Sequence, residues 1–328
     1  MDRKIKIGIC GYGNLGRGIE SEIAKNPDLE LAAVFTRRKP AESLQIKANV
    51  PVVHVDQAAE WKDKIDVMVL CGGSANDLPL QGPAFAKIFN TVDSFDTHAK
   101  IPDYFEKVDN SAKSGNHVSI VSIGWDPGLF SVMRLYAGAV LPDGKTYTFW
   151  GKGVSQGHSD AVRGIKGVAD AIQYTVPVDS AVRRIRDGET PELDAREKHT
   201  RVCYVVAEEG ADKARIEKEI KTMPNYFDEY DTTVHFISLE ELKANHGGLP
   251  HGGNVIHTGA TGTGNRNAIE FSLKLDSNPE FTASVLLAYA RAAYRLFVKG
   301  ERGARTIFDI PPILLSSLSP EEAIKDLL

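Results

Sequence analysis

Cysteine is scarce in this sequence of 328 residues, and its scarcity excludes a fold built on disulfides. The three cysteines, Cys10, Cys71 and Cys203, are scattered, and each lies in an apolar stretch. They have neither the number nor the spacing of a disulfide framework, a metal site or a set of nucleophiles. We therefore expect small core residues in a protein of the reducing cytoplasm.

Long hydrophobic runs and an excess of positive charge are missing as well. No apolar run approaches the roughly 20 residues that a membrane-spanning helix needs, and charged residues interrupt the segment where a secretory signal would be apolar. The formal net charge of −5 argues against a general binder of nucleic acids or membrane surfaces. His246, His251 and His257 lack a recognised metal spacing, so we predict no metal site.

What the sequence does contain is the composition of an ordinary globular protein, in a chain long enough for about two domains. Strand and helix patterns alternate up to residue 124, whereas the later strands are grouped with turns. We predict an α/β fold with a Rossmann-type doubly wound parallel sheet in residues 1–124, joined by a C-terminal helical segment at 281–328. Residues 125–280 are expected to form a second, α+β domain for substrate binding and dimerisation, on a mostly antiparallel sheet.

The predicted elements follow this division. Apolar runs predict strands in the first domain at 5–9, 29–35, 65–71, 91–96 and 118–122, and helical patterns lie at 15–24, 83–89 and 101–114. In the second domain, strands are predicted at 146–150, 201–206, 233–237 and 268–274. A long helical pattern at 281–298 is expected to return to the first domain.

The most informative motif is the glycine-rich turn Gly11–Gly16, which follows the first strand and opens a helix. Its glycines permit a tight turn and a close approach to a pyrophosphate, while the helix amino terminus supplies free N–H groups. The second strand ends in Thr36, Arg37 and Arg38 instead of the acid that would bind a ribose diol. A hydroxyl and two guanidiniums suit a 2′-phosphate, so we predict NADP over NAD. The alternative is that these arginines are solvated surface residues.

Four strands of the first domain end in polar or glycine-rich tips, at 11–16, 36–38, 72–77 and 96–98. Ligands of open parallel sheets bind outside the carboxyl ends of the strands, so we expect these tips to line one crevice. The predicted cofactor-binding residues are Gly11, Tyr12, Gly13, Asn14, Leu15, Gly16, Thr36, Arg37, Arg38, Cys71, Gly72, Gly73, Ser74 and Ala75.

Asp96 and Asp126 lie just past two predicted strand ends, where a substrate would meet the cofactor. Two carboxylates there can hold an ammonium group and accept its proton, as amine oxidation by hydride transfer requires. Either residue could instead be structural, because aspartate often caps a turn and Asp126 opens an Asp-Pro-Gly turn. We favour a catalytic function for the pair.

Several longer motifs carry a resemblance to a known family. The run at 155–160, Ser-Gln-Gly-His-Ser-Asp, is much more specific than the glycine motif. With the other motifs it spans essentially the whole chain, which resembles the meso-diaminopimelate D-dehydrogenases. The motifs are the segments 11–17, 35–38, 124–128, 148–151, 155–160, 222–224, 250–253 and 278–284.

The resemblance implies NADP-dependent, reversible oxidative deamination of the D-centre of meso-2,6-diaminopimelate to L-2-amino-6-oxopimelate and ammonia, within lysine biosynthesis. It also implies that Asp96 and Asp126 hold the reacting amino group. Thr175, Arg201 and His251 would hold the distal L-amino-acid end. We further expect a homodimer or a higher homo-oligomer. The residues that match substrate-pocket positions of the family are Trp125, Phe149, Trp150, Gln156, Gly157, Asp160, Thr175, Arg201, His251 and Asn278.

Two other classes of function stay open. One is another NADP-dependent oxidoreductase with two domains, such as a dihydrodipicolinate reductase or a homoserine dehydrogenase. Neither explains the Trp125-Asp126 pair or the segment 156–160. The other is a non-catalytic NADP-binding sensor, in which Asp96 and Asp126 would be structural.

Three local features are given structural interpretations. We expect His158 to order its own loop rather than to shuttle protons. The glycine-rich segment 259–264 is expected to connect two antiparallel strands rather than to bind a phosphate. Gly164 stands where members of the family carry an arginine, inside a predicted helix, where glycine costs about 1 kcal/mol relative to alanine.

Overall fold

A seven-stranded, fully parallel sheet forms the centre of the first unit of the chain, which comprises Met1–Val132 and Pro279–Leu328. The computed structural model describes residues 3–328. The strands of this sheet are β1 (Ile5–Cys10), β2 (Leu29–Thr36), β3 (Val52–His54), β4 (Val67–Leu70), β5 (Asn90–Asp93), β6 (Val118–Ile120) and β14 (Gly303–Arg305).

The strand order is β14-β6-β5-β4-β1-β2-β3, which makes two halves that diverge from β1 and β4. In doubly wound sheets, dinucleotides bind at this point of divergence. The predicted Rossmann-type sheet is thereby confirmed. The helices of the described chain are α1 (Asn14–Ile23), α2 (Leu78–Ala86), α3 (Ile101–Gly115), α4 (Leu129–Val140), α5 (Gln156–Arg163), α6 (Asp179–Arg186), α7 (Ala195–Lys198), α8 (Lys213–Lys221), α9 (Leu239–His246), α10 (Asn278–Val298) and α11 (Pro320–Leu327).

The core of the first unit joins the start of the chain to its end. Ile7 and Ile9 of β1 are fully buried, and they belong to the same apolar cluster as Leu286 and Ala290 of α10. Burial of such side chains is the main favourable term in folding, at about 25 cal/mol per Å² of apolar surface. The return of the chain to this unit through α10 agrees with the long helical pattern at 281–298.

An ion pair between a buried arginine and a half-buried aspartate reinforces this junction. Arg291 of α10 donates to both carboxylate oxygens of Asp28, at 2.5 and 2.7 Å, and to the side chain of Asn26 at 2.8 Å. Burial alone would raise the pKa of Asp28, but the hydrogen bond and charge of Arg291 hold that pKa below its usual value. The pair therefore fixes α10 beside the start of β2.

The second unit, Met133–Asn278, contains two smaller sheets. In the four-stranded sheet, ordered β11-β10-β9-β8, only the β10–β11 pair is parallel; in the three-stranded sheet, ordered β13-β12-β7, both pairs are antiparallel. The expected mostly antiparallel character is confirmed. The strands are β7 (Lys145–Trp150), β8 (Gly153–Val154), β9 (Val168–Pro177), β10 (His199–Ala207), β11 (Asp231–Phe236), β12 (His251–Thr261) and β13 (Asn265–Leu275).

Three local predictions, for the helix at 83–89, for Gly164 and for the segment 259–264, can be compared with the structure. The helix predicted at 83–89 is wrong at both ends, because α2 begins at Leu78 and ends at Ala86, with Pro79 in its first turn, where a missing N–H costs little. Gly164 is not inside a helix: it caps the end of α5, where glycine carries little penalty. The segment 259–264 does join two antiparallel strands, β12 and β13.

None of the helices within residues 3–328 has the length and apolar character needed to cross a bilayer.

Candidate active site

A pocket of about 500 Å³ lies at the carboxyl ends of β1, β2 and β4. Three of the four polar tips contribute to it. The fourth tip contributes Thr97 to a second pocket of about 410 Å³, which is also lined by Ser74 and Ala75. The predicted cofactor residues that line the first pocket are Gly11, Tyr12, Gly13, Thr36, Arg37, Arg38, Cys71, Gly72 and Gly73. Asn14, Leu15 and Gly16 form the start of α1.

The backbone of this first pocket requires glycine. Gly11 has a φ of +95°, and a Cβ there would lie 3.1 Å from the carbonyl oxygen of Cys71. A Cβ at Gly72 would lie 2.7 Å from the Cβ of Asp77. No side chain caps the amino terminus of α1, whose first turn carries no acid. Its N–H groups and positive dipole end therefore suit a pyrophosphate.

The two arginines at the end of β2 differ in their contacts. Arg37 forms an ion pair with Asp77 at 2.8 Å, and Asp77 also accepts a hydrogen bond from the backbone of Gly73 at 2.9 Å. The backbone N–H of Arg38 donates to the hydroxyl of Thr36 at 3.2 Å, but its guanidinium has no partner within residues 3–328. Asp77 was not among the predicted site residues, although it ends the polar tip at 72–77.

The two proposed catalytic carboxylates also lie in the first unit. Asp96 is exposed, and its backbone N–H donates to the hydroxyl of Ser74 at 2.9 Å. Asp126 is half-buried between β6 and α4. The neighbouring Trp125 is buried, with its ring edge-on to Phe130 at 5.3 Å between centroids. The Ser74 contact ties the tip after β4 to the loop that carries Asp96.

In the second unit, Arg201 is a buried cation that has no carboxylate partner within residues 3–328. It is 8% exposed, donates to the hydroxyl of Thr175 on the paired strand, and stacks on Tyr230 at 3.9 Å. Its Nε atom is buried without a hydrogen-bond partner. Burial lowers the pKa of Arg201. A buried, uncompensated cation is costly, so this arrangement is suited to an incoming anion.

Two histidines near Arg201 are neutral at neutral pH. Burial, and then the charge of Arg201, lower the pKa of His158 to about 4 and that of His199 to about 4. His158 Nδ1 lies 2.8 Å from the hydroxyl of Ser155, in agreement with its expected role in ordering the loop. His199 Nε2 accepts a hydrogen bond from the backbone of Trp150 at 2.8 Å.

The remaining predicted substrate residues differ widely in exposure. Gln156 and Gly157 are exposed at the start of α5, and Asp160 pairs with Arg163 on the same helix. Phe149 is fully buried among apolar side chains, and neither its side chain nor its backbone is exposed. The other members of the set are Trp150, which is partly exposed, and His251 and Asn278, which are half-buried.

Sequence reasoning missed Gln173, whose side chain is fully buried on β9 with no hydrogen-bond partner for either amide atom. It also missed Tyr230, which stacks on Arg201. Neither residue carries a signal in the sequence, because a tyrosine or glutamine is common on any half-polar strand or loop. Within residues 3–328, no group of three or more histidine, cysteine or acidic side chains is arranged to hold a metal ion.

Comparisons with known proteins identify the family. The family described as "Diaminopimelic acid dehydrogenase C-terminal domain" matches residues 124–277. The meso-diaminopimelate D-dehydrogenase of Ureibacillus thermosphaericus is 66% identical over 325 residues, which are 99% of each chain. The chain belongs to the meso-diaminopimelate D-dehydrogenase family. The resemblance drawn from the sequence motifs is confirmed.

Solved structures agree with membership of the meso-diaminopimelate D-dehydrogenases. The C. glutamicum DAP dehydrogenase in complex with DAP is similar with a TM-score of 0.91 and 44% identity, over 99% of each chain. An engineered D-amino acid dehydrogenase bound to NADP⁺ is similar with a TM-score of 0.86 and 43% identity, over 99% of this chain and 100% of that one.

Proposed function

We propose that this protein catalyses the NADP-dependent, reversible oxidative deamination of the D-centre of meso-2,6-diaminopimelate to L-2-amino-6-oxopimelate and ammonia, in lysine biosynthesis. Membership of the family supports this reaction, as does the C. glutamicum relative whose structure contains DAP. The observation in this chain that carries the proposal is the buried Arg201, because a guanidinium with a free Nε and no carboxylate partner in the described chain is suited to a substrate carboxylate.

The cofactor is a nicotinamide dinucleotide, and we propose that it is NADP. The glycine turn, the uncapped start of α1 and the 500 Å³ pocket fit its pyrophosphate and adenosine half. Thr36, Arg37 and Arg38 would hold the 2′-phosphate, with Arg38 free to turn toward it. The residues proposed to hold the rest of the cofactor are those of the glycine turn and Cys71, Gly72, Gly73, Ser74 and Ala75. The bound cofactor supplies the acceptor for the hydride.

Asp96 and Asp126 are proposed to act on the reacting amino group. Two carboxylates attract the ammonium form of the substrate, and one of them takes its proton, directly or through water. The nitrogen lone pair is then free, as loss of hydride from the neighbouring carbon requires. Trp125 lies between β6 and α4, and its buried ring would shield this step from water.

The distal end of the substrate is proposed to bind Arg201, with Thr175 and His251 beside it. The substrate carries two carboxylates and two ammonium groups, so a substrate that bound in the reversed direction would leave buried polar groups unpaired. Such a mismatch is penalised more strongly than an apolar misfit. The other residues proposed to contact the substrate are Phe149, Trp150, Gln156, Gly157, Asp160 and Asn278.

The remaining proposals concern organisation. We propose that residues 1–124, with 281–328, form the dinucleotide-binding domain, and that 125–280 form the domain for substrate binding and dimerisation. We also propose that the protein acts in the cytoplasm as a homodimer or a higher homo-oligomer. Light scattering on the purified protein measures this assembly directly, and a monomer at micromolar concentration would contradict it.

An assay of cofactor reduction tests the function. Purified protein is incubated with NADP or NAD and, in turn, with meso-diaminopimelate and a panel of D-amino acids. We expect rapid reduction of NADP with meso-diaminopimelate and much slower reduction with simple D-amino acids, which lack the distal carboxylate. Binding of NADP without reduction by any amine would instead identify a sensor.

A further inference from the structure

Asp93, at the end of β5, is a buried carboxylate at the centre of three hydrogen bonds. Its side chain is fully buried. One oxygen accepts from the backbone of Phe95 at 3.0 Å and from the backbone of Ser122 at 3.1 Å. The other oxygen accepts from the hydroxyl of Tyr104 at 2.8 Å. Asp93 thus joins the tip of β5, the tip of β6 and helix α3.

The segments that Asp93 joins are those that carry the two proposed catalytic carboxylates. Phe95 immediately precedes Asp96, and Ser122 lies four residues before Asp126. Ser122 has a φ of +59°, a left-handed conformation that serine rarely adopts. The hydrogen bond from its backbone N–H to Asp93 stabilises that conformation. The two loops that carry the carboxylates are therefore hydrogen-bonded to the same buried side chain.

Tyr104 holds the Asp93 carboxylate in turn. Its ring stacks on Phe95, with centroids 4.2 Å apart. Its hydroxyl lies against α2 at Gly82, where an added Cβ would lie only 2.7 Å from the Tyr104 Cζ. The hydroxyl can reach Asp93 only because residue 82 has no side chain. Neither Asp93 nor Tyr104 lines the 500 Å³ pocket, whereas Tyr104 lines the second, 410 Å³ pocket beside Thr97.

We propose that Asp93 and Tyr104 are positioning residues that hold Asp96 and Asp126 in the geometry required for proton removal from the substrate amine. They act through hydrogen bonds to the two loops and do not touch the substrate. Small misplacements of catalytic groups, on the order of 1 Å, can lower turnover by about 100-fold. The inference rests on the proposed function, because it takes the roles of Asp96 and Asp126 from it.

The test separates geometry from charge at position 93. Asp93→Ala removes every side-chain hydrogen bond, and we expect kcat to fall about 100-fold. Asp93→Asn can still accept both backbone N–H groups on its oxygen, while the Tyr104 hydroxyl rotates to accept from the amide. We therefore expect Asp93→Asn to keep kcat within about 5-fold of wild type. The KM for NADP should not change in either variant.

Tyr104→Phe keeps the ring stack and the packing but removes the hydroxyl, so it should fold even if Asp93→Ala does not. We expect its kcat to fall about 10-fold, less than in Asp93→Ala, because the two backbone hydrogen bonds to Asp93 remain. The matched control is Tyr289→Phe, because Tyr289 is equally buried in the same unit and its hydroxyl has no hydrogen-bond partner in the described chain. This control should turn over like wild type.

The amount of folded enzyme in each sample is counted by titration of NADP binding, so that kcat refers to folded protein. A purely structural role would lower the amount of folded protein and leave kcat per binding site normal. Normal kcat in Tyr104→Phe, or equal losses in Asp93→Asn and Asp93→Ala, would overturn the inference. Failure of the wild-type protein to oxidise meso-diaminopimelate would overturn the proposed function itself, so the two failures are distinguishable.

Discussion

The arginines proposed to bind anionic groups are placed in opposite ways in the two units of this protein. In the first unit, Arg37 and Arg38 are exposed at the end of a strand, one paired with Asp77 and the other without a partner in the described chain. In the second unit, Arg201 is buried under Tyr230 with a free Nε. Water solvates an exposed unpaired arginine at no cost, whereas a buried one is destabilising until an anion arrives.

The difference has a practical meaning for recognising sites. Exposed arginines after a strand could be surface residues, and only the glycine turn beside them suggests a ligand. A buried guanidinium that lacks a carboxylate is itself evidence for a binding site. We therefore expect changes of charge at Arg37 and Arg38 to leave stability unchanged, and a change of charge at Arg201 to have opposite effects on activity and stability.

The largest effect should come from the first unit and should act on turnover. Asp126→Asn nearly preserves the shape of the side chain while removing its charge, so we expect kcat to fall by about 100-fold or more, the range for loss of a general base. NADP binding should change little, as measured by fluorescence titration. Near-normal deamination would mean that Asp126 only shapes its turn, and would shift the catalytic role to Asp96 or to a bound water.

The next effect should come from the second unit and should separate activity from stability. Arg201→Met removes the proposed partner of the distal carboxylate. We expect this to cost about 2–5 kcal/mol of binding free energy, which is a loss of kcat/KM of at least about 30-fold. Since the variant no longer buries an unpaired cation, its Tm should be unchanged or higher. Thermal unfolding and steady-state kinetics on the same sample measure both.

The control for this substitution is Arg184→Met, which removes a half-exposed arginine of the same unit that pairs with Glu189 at 2.8 Å. Both kcat/KM and Tm should stay near wild type, because exposed ion pairs contribute about 0–1 kcal/mol. A fall in Tm for Arg201→Met with unchanged kcat/KM would reverse the comparison between the units.

A smaller effect is expected on the preference for NADP over NAD. Replacing Arg37 and Arg38 together by alanine removes the charge-assisted hydrogen bonds proposed to hold the 2′-phosphate, so the KM for NADP should rise by about 10-fold or more. The KM for NAD, which has no 2′-phosphate, should change much less. Initial rates with each cofactor give both values, and an equal loss for the two would show that these arginines do not read the phosphate.

The smallest effect concerns acid stability. In the unfolded chain a histidine has a pKa of about 6.5, whereas His158 and His199 titrate at about 4 when folded. Between these values the unfolded chain binds more protons, so the free energy of unfolding should fall as the pH falls from about 6.5 to about 4. Thermal unfolding at pH 7 and pH 5 measures this fall as a drop in Tm of a few degrees.

The same pH series sharpens the comparison between the units. The charge of Arg201 is the second cause, after burial, of both low pKa values. Arg201→Met should therefore raise the two pKa values and weaken the dependence of Tm on pH. An identical slope in wild type and variant would mean that burial alone sets the protonation of these histidines.

Much of the first unit could be predicted from the sequence because its signals are local. Alternating or continuous apolar residues gave β1 and β2, and the glycine turn identified the start of α1 within one residue. In the second unit, β9 was missed because Asp170 and Gln173 interrupt its apolar pattern, and β12 because it contains three glycines. Both strands are stabilised by pairing with distant strands, which local patterns do not record.

The residues of the candidate site also differ in whether local sequence patterns could predict them. The residues of the glycine turn and of the strand tips could be named in advance, since they lie next to recognisable elements. The state of Arg201 could not, because its burial depends on the register between β9 and β10 and on Tyr230 from a separate loop. The role proposed for Asp93 was hidden for the same reason: its partners come from three different elements.

The return of α10 and β14 to the first unit has a consequence for the order of events on the ribosome. All residues of the second unit, Met133–Asn278, emerge before the last strand of the parallel sheet and before Arg291, the partner of Asp28. The two sheets of the second unit can therefore form on the nascent chain while the core of the first unit is still missing a helix and an edge strand. The pocket at the carboxyl ends of β1, β2 and β4 is lined by residues between Cys10 and Gln81, so its walls emerge early, whereas the apolar core and the ion pair that stabilise the sheet beneath it wait for α10.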